Sequence, residues 1–364
     1  MGLGNKQRKK SAPTSTQSIS GREFVGVEIN DHAVKMVQVS GRSLDNLKVE
    51  NFAMTPLPVG VINGGKVGNS KELVACLQQT ASRMGNLAKN VIFGLPSVVS
   101  IVQSFDYDES SGLNLEQAAE FEISQISSVD ELNFDFVVTE KTGKESKVLC
   151  AMSKKEDVEP FLAALEDANM SPALVDVETV AIANSFFWWI NNNSTNLTNS
   201  IVVVCDIGED VSQILLLSNG KVLFKQDFQF GGKRLTRDLQ RECQLSADDA
   251  ERMKKTTNKP QGYQVVADSF NEQVASEIQR ALQFFYASGL YGSNDSKIER
   301  IFLTGGGCQV DGIEEAVSST NGVLTQIVNP LGYAAVSSKV AQDQFKQNAA
   351  RYTAAFGMAL RGLV

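Results

Sequence analysis

A single histidine, His32, serves the whole 364-residue chain, and that scarcity removes more chemistry than any other feature of its composition. A multi-histidine metal centre is impossible, and a Ser-His-Asp triad would have to be built on a turn. Cysteine is also sparse. Cys76, Cys150, Cys205, Cys243 and Cys308 stand singly with no C-x-x-C spacing, which argues against a zinc site and reads as the reduced thiols of a cytosolic protein. Positive charge is in deficit, 34 Lys and Arg against 42 Asp and Glu, a formal charge of -8. A general nucleic-acid binder needs the opposite balance to release counterions from phosphates. Long apolar runs are missing too. The nearest, Ser185 to Ile190, falls far short of the ~18 residues of a membrane span. The first 20 residues hold Lys6, Arg8, Lys9 and Lys10 without an apolar core for a signal peptide, so 1–21 is expected to be a disordered basic tail.

What remains is an ordinary apolar share, 42%, on a chain too long for one compact core and suited to two lobes. The chief positive signal is a motif carried twice. Val25-Gly-Val-Glu-Ile-Asn-Asp-His32 and Val203-Val-Cys-Asp-Ile-Gly-Glu-Asp210 each read as strand, acidic residue and tight polar turn, followed by Met36 to Val39 in one copy and Ile214 to Leu217 in the other. Glu28 aligns with Asp206, Asn30 with Gly208 and Asp31 with Glu209. One copy alone would be an ordinary β-hairpin, because Gly, Asn and Asp are what any tight turn prefers. Two copies fit a clamp in which backbone N–H groups of facing turns hold phosphate oxygens and a carboxylate holds hydrated Mg²⁺.

Between the repeats the pattern predicts a third strand at 47–54, a helix at 70–84 and a strand at 90–96. A βαββα insert follows: a strand at 101–105, a helix with Leu115, Ala119, Ile123 and Ile126 on one face, a hairpin of 134–140 and 147–152, and a helix carrying Val158, Phe161, Leu162, Leu165 and Ala168. A returning strand at 173–177, a helix at 178–190 and a polar linker at 191–200 come next. The second lobe adds a strand at 222–228, Gly231-Gly232, a helix from Lys233, helices at 247–255 and 272–288, and a strand at 301–304 that delivers Gly305, Gly306 and Gly307. Residues without Cβ let backbone approach a ligand, and the helix expected after Asp311 favours anions. Glu251 and Lys254 lie one helical turn apart, which by itself is what a solvated helix face shows. A helix at 352–360 ends the chain.

The order of these parts resembles the actin/Hsp70/FtsA ATPase superfamily and, more closely, the PilM family of type IV pilus assembly proteins. The resemblance runs from residue 24 onward through Val25-Gly-Val-Glu-Ile29, Gly94-Leu-Pro-Ser97, Ser153-Lys-Lys-Glu-Asp-Val158, Val175-Asp-Val-Glu178, Asp206-Ile-Gly208, Gly231-Gly-Lys-Arg-Leu-Thr236, Ala250-Glu-x-x-Lys254 and Gly305-Gly-Gly307. It implies an α/β, ribonuclease H-like, two-lobed actin-like fold of FtsA type: lobe 1 (1A) at 22–100, a 1C-like insert at 101–172, lobe 1 and linker at 173–199, lobe 2 (2A) at 200–230 and 299–335, a cap (2B) at 231–298, and 336–364 returning to lobe 1.

It also implies ATP and Mg as ligands. Asn30, Asp31, His32 and Lys35 would form the first phosphate loop, and Asp206, Ile207 and Gly208 the second. Glu28 and Asp206 would hold Mg²⁺ through water. Gly231, Gly232, Glu251, Lys254, Gly305, Gly306 and Gly307 would border the nucleoside, and Glu178 would orient the attacking water. The implied partner is the N-terminal cytoplasmic tail of a PilN-like inner-membrane protein, held near Val98, Ile101, Gln103 and Phe105 by strand pairing and side-chain pockets. Such a chain would be a cytoplasmic scaffold, peripheral at the inner membrane through its partner and in contact with other pilus components. Alternatives are an active ATPase or an FtsA-type filament former, the latter implying self-association.

This chain departs from the pattern in its first loop, where Glu28-Ile-Asn-Asp31 replaces a small, hydroxyl-bearing turn. Asp31 is expected to repel a phosphate by several kcal/mol at about 4 Å and an effective dielectric near 20. Weak nucleotide binding and slow or absent hydrolysis are the expectation.

Overall fold

The computed structural model describes residues 23–85, 88–256, 258–288 and 297–363; the tail expected at 1–21 lies outside them. Every residue of β1 (Phe24–Ile29) is buried, as its nearly unbroken apolar run demands of a strand covered on both faces. It turns through Asn30–His32 into β2 (Ala33–Ser40), which pairs antiparallel with β3 (Lys48–Pro56). The short β4 (Ile62–Asn63) and β5 (Lys66–Val67) lead to α1 (Ser70–Met84). Its bounds are those the sequence predicts, because Asn69 caps the start by accepting from the Glu72 N–H and Gly85 ends it at φ +72°. Parallel β6 (Asn90–Leu95) then lies beside β1.

The insert consists of β7 (Ile101–Asp108), α2 (Leu115–Ser124), β8 (Leu132–Thr142), β9 (Glu145–Lys154) and α3 (Lys155–Asp167). Its sheet order is β7-β9-β8, and α2 covers one face around Phe105, Ala119, Ile123, Val148 and Cys150. The other face turns Val102 and Ala151 toward the lobe 1 core. Helix α3 buries Val158, Phe161, Ala164 and Leu165 in that same core, with Phe161 and Phe93 rings 5.0 Å apart. It is thus the insert's anchor. β10 (Ser171–Val177) then forms the edge of the six-stranded lobe 1 sheet beside β6 and runs directly into α4 (Glu178–Asn193).

Lobe 2 repeats the plan with β11 (Ile201–Ile207), β12 (Ser212–Ser218) and β13 (Lys221–Phe228), followed by α5 (Gly232–Cys243), α6 (Ala247–Met253) and α7 (Tyr263–Ala287). Helix α7 starts at Tyr263, nine residues before the expected 272, and its first turns bury Tyr263, Val266, Ala267 and Phe270. β14 (Ile298–Thr304), α8 (Ile313–Asn321) and β15 (Thr325–Ile327) complete the lobe. β16 (Ala335–Val336) crosses back to pair with β3, and α9 (Gln342–Asn348) and α10 (Thr353–Leu360) close the fold.

The lobes meet around α4 and α10. Phe186 and Trp189 of α4 pack on Phe302 of lobe 2, with centroids 5.9 and 5.1 Å away, so the aromatic cluster of α4 is core. Helix α10 is wholly buried between β1 and α4. A Cβ on Gly357 would stand 1.7 Å from the Ala181 carbonyl oxygen, and one on Gly26 would stand 1.9 Å from that of Ala355. Backbone packs on backbone here, and only glycine permits it. No helix among the described residues is long and apolar enough to cross a membrane.

Candidate functional site: an acidic cleft between two repeated turns

A cavity of about 860 Å³ opens between the lobes, and it brings together most of the residues singled out from the sequence. Both β-hairpin turns, the Gly305–Gly307 loop, the start of α5 and the Glu251–Lys254 pair line it. Two of the predicted residues do not face it. Ile207 is fully buried in the lobe 2 core, and Gly231 packs against loop backbone, its would-be Cβ 2.5 Å from the carbonyl oxygens of Gly208 and Glu209. Asp210, Arg237, Tyr263 and Arg351 line the cavity without having been assigned a role in it.

Three carboxylates converge on the floor. Strand β1 delivers Glu28, β11 delivers Asp206 and the first residue of α4 is Glu178. Their one close cation among the described residues is Lys35, directly across the ladder from Glu28, with Nζ 2.5 Å from Glu28 Oε1. Burial would depress the Lys35 ammonium, but Glu28, Asp206 and Glu178 together raise it. Burial and then the Glu28 charge push the Asp206 carboxyl up to about 7, against Lys35. Burial, Glu28 and Asp206 push Glu178 up to about 8, although the Ser97 N–H donates to its Oε2 at 3.0 Å. Three carboxylates beside one lysine are therefore not all ionised at neutral pH, and the two raised groups keep part of their protons. A hydrated divalent cation near Glu28 and Asp206 would take the place of those protons. Among the described residues no three acidic, Cys or His side chains are grouped to chelate a metal directly, so water would have to complete its shell.

The first turn is closed on itself. Asn30 Oδ1 accepts from the N–H groups of both His32 and Ala33 at 3.0 Å, and its amide donates to Glu28 Oε1 at 2.9 Å. Asp31, expected to repel a phosphate, has its carboxylate turned to the Gly64 and Gly65 N–H groups, from which it accepts at 2.8 and 2.9 Å, tying the turn to the β4–β5 loop. His32 points across the cleft, with Nε2 2.8 Å from Asp210 Oδ2 and Nδ1 3.9 Å from Glu209 Oε1. Lys233 Nζ reaches the same Asp210 oxygen at 2.8 Å. Burial would raise the Asp210 carboxyl, but the hydrogen bonds from Lys233 and His32 hold it below its ordinary range.

At the other end, Lys254 lies 2.7 Å from Glu251, which also accepts from the Thr236 hydroxyl. Burial would raise Glu251, but these partners lower it. The pair thus lines the cleft and is tied to α5. The three glycines divide by role. Gly305, at φ +88°, and Gly307 are required by the second turn, since their Cβ atoms would come 2.2 Å from Asp206 Oδ1 and 2.5 Å from Ile207 Cγ2. Gly306 and Gly232 meet nothing closer than 3.6 Å, so their bare backbone borders open cavity.

The residues proposed for a partner groove are divided between surfaces. Val98, 43% exposed, lines the cleft, whereas Phe105 is buried beneath α2 and Ile101, on the same face of the edge strand β7, is 43% exposed. The free edge of β10 lies close by. Leu174 and Val175 are each 37% exposed there, Asp135 of β8 is near enough to act on the Asp176 carboxyl, and Val137 of β8 is 56% exposed.

A family model described as type IV pilus assembly protein PilM matches residues 26–363. Among solved structures, the chain is similar to a PilM-PilN type IV pilus biogenesis complex, with 24% identity and a TM-score of 0.80 over 94% of this chain and 98% of that one. It is also similar to the ethanolamine utilization protein EutJ from Carboxydothermus hydrogenoformans, with 14% identity and a TM-score of 0.57 over 94% and 91% of the two chains. The two-lobed architecture is that of the actin-like ATPases. The chain belongs to the family of type IV pilus assembly proteins PilM.

Proposed function

We propose that this chain is a cytoplasmic scaffold of type IV pilus assembly that takes the N-terminal tail of a PilN-like inner-membrane protein along the open edge of β10. Its cleft holds nucleotide weakly, with Mg²⁺ through water at Glu28 and Asp206, and turns it over slowly or not at all. The observation that carries the partner site is the β10 edge. Its unpaired backbone groups are flanked by exposed Leu174, Val175 and Val137 and by the carboxylate of Asp135, while Asp176 is already taken by Arg361 at 3.1 Å. An extended segment with alternating apolar residues and a basic group would add as a further strand, main-chain bonds giving affinity and side-chain pockets giving register. The tethered partner would keep the chain at the inner membrane without a membrane span of its own.

Weak turnover has a physical basis in the cleft. Phosphoryl transfer is driven by positioning and charge stabilisation. Here the N–H groups of His32 and Ala33 are committed to Asn30, and Lys35 is committed to Glu28. Glu178, protonated up to about pH 8, makes a poor acceptor for a water proton at neutral pH. Calorimetric titration with a synthetic N-terminal peptide of the PilN-like protein from the same source, with and without Mg-ATP, tests the proposal. Micromolar peptide binding is expected whether or not nucleotide is present. Absence of peptide binding, or steady ATP hydrolysis faster than about one per second, typical of working enzymes, would refute it.

A further inference from the structure

The two turns of the repeat are joined to each other directly. His32 and Asp210 occupy equivalent positions in the two copies, 178 residues apart, and they meet at 2.8 Å across the mouth of the cleft. Lys233, the second residue of α5, converges on the same Asp210 oxygen. In a clamp made of two facing turns, a polyphosphate would bridge at this place and take its donors from these groups. The side-chain donors here, and two N–H groups of the first turn, already have protein acceptors. Asn30 Oδ1 fills the first turn, Glu28 takes Lys35, and the Asp210 carboxylate takes both His32 and Lys233. Glu209 adds a further negative charge 3.9 Å from the imidazole.

The rest of the cavity lining differs in charge. Arg237, Lys255 and Arg351 line it, and none has an ion pair among the described residues. Gly232 and Gly306 leave room beside them, and Glu251 offers an acceptor for ribose hydroxyls.

We infer that Asn30 and Asp210 are built-in occupants of the two phosphate seats, so that the cleft selects a nucleoside or nucleoside monophosphate and admits a di- or triphosphate only when Asp210 leaves His32 and Lys233. This specificity rests on the reading of the cleft as a nucleotide site. One phosphate can be met by these cations. Additional phosphates must compete with a carboxylate tethered at the mouth and so present there at high effective concentration. The contacts of Asp210 are partly exposed, so the competition is one of modest factors and not an absolute block.

Isothermal titration of the full chain at constant Mg²⁺ with adenosine, AMP, ADP and ATP, repeated with the guanosine series, tests the inference. In the wild type the nucleoside and monophosphate should bind at least as tightly as the triphosphate. In D210N, and separately in D210S, the ratio of triphosphate to nucleoside affinity should rise about 10-fold. Agreement of the two variants separates loss of the carboxylate from misfit of the amide, and their melting curves establish that they fold. Triphosphate binding 10-fold or more tighter than nucleoside in the wild type would overturn the inference while leaving the nucleotide reading intact. An unchanged ratio in both folded variants would do the same. If no member of either series binds any of the proteins, the nucleotide reading fails and takes the inference with it.

Discussion

Raising the pH from 5 to 9 should destabilise the fold, and much of the loss should be traceable to one residue at the cleft floor. In the folded chain the Asp206 carboxyl stands at about 7 and that of Glu178 at about 8, against 3.8 and 4.5 for the unperturbed groups. Both groups therefore hold their protons in the folded state at pH values where the unfolded chain has released them. By linkage, their contribution to stability is fully present below the unfolded values and is lost as pH rises through the folded ones. One pK unit corresponds to about 1.4 kcal/mol, so a shift of about three units at Asp206 amounts to about 4 kcal/mol over the whole window. Roughly two-thirds of this falls between pH 5 and 9, and water access to the half-buried site reduces the expectation to about 2 kcal/mol. Urea unfolding of the wild type and of D206N at pH 5, 7 and 9 measures it. Asparagine does not titrate, so the D206N profile should be shallower by about 2 kcal/mol across the range. Millimolar Mg²⁺ should restore stability to the wild type at pH 9 more than to D206N. Parallel profiles for the two proteins would refute the reasoning, because they would mean that burial and Glu28 do not hold a proton on Asp206.

Other perturbations have equally direct readouts. Val175→Asp or Leu174→Asp on the open β10 edge should weaken peptide binding at least about 10-fold in calorimetry while the melting temperature moves little, as for most exposed positions. Gly357→Ala should cost about 3 kcal/mol or prevent folding, since its Cβ meets the Ala181 carbonyl at 1.7 Å; a loss below about 1 kcal/mol in urea would contradict the backbone packing of α10 on α4. Gly305→Ala should lose about 1–3 kcal/mol through its φ of +88° and its contact with Asp206, whereas Gly306→Ala should fold within about 0.5 kcal/mol of wild type and weaken nucleoside binding instead.

Much of this molecule was legible from local signals. The repeat located both hairpin turns, and the expected bounds of α1 coincide with the observed ones, where Asn69 and Gly85 cap the helix. The first nine residues of α7 were missed because Pro260-Gln-Gly262 reads as a loop and Gly262, at φ +92°, starts the helix without a side-chain cap. Short β4, β5 and β16 carry too few residues for any periodicity to register. The groove residues were legible only in part. Ile101, Gln103 and Phe105 alternate correctly for one strand face, but only the position of α2 decides that Phe105 is covered while Ile101 stays exposed. At the cleft, residue types pointed to the right loops, while the acceptors that Asn30 and Asp210 provide depend on geometry that no spacing encodes. Copy-on-copy alignment does set His32 opposite Asp210, so the latch could have been suspected from the repeat itself.

The junction between β10 and α4 has a mechanical consequence. Val175 stands on the open edge of the lobe 1 sheet, and Glu178, three residues later, is the first residue of α4 at the cleft floor. At strand rise those positions are only about 10 Å apart. No turn or glycine separates them to absorb a displacement. If a partner strand adds at β10 as proposed, a displacement of that edge would reach the Glu178 carboxyl through this short connection and change how the floor shares its protons with Asp206 and Lys35. Force delivered from a membrane-tethered chain would thus be converted at this corner into a change of charge.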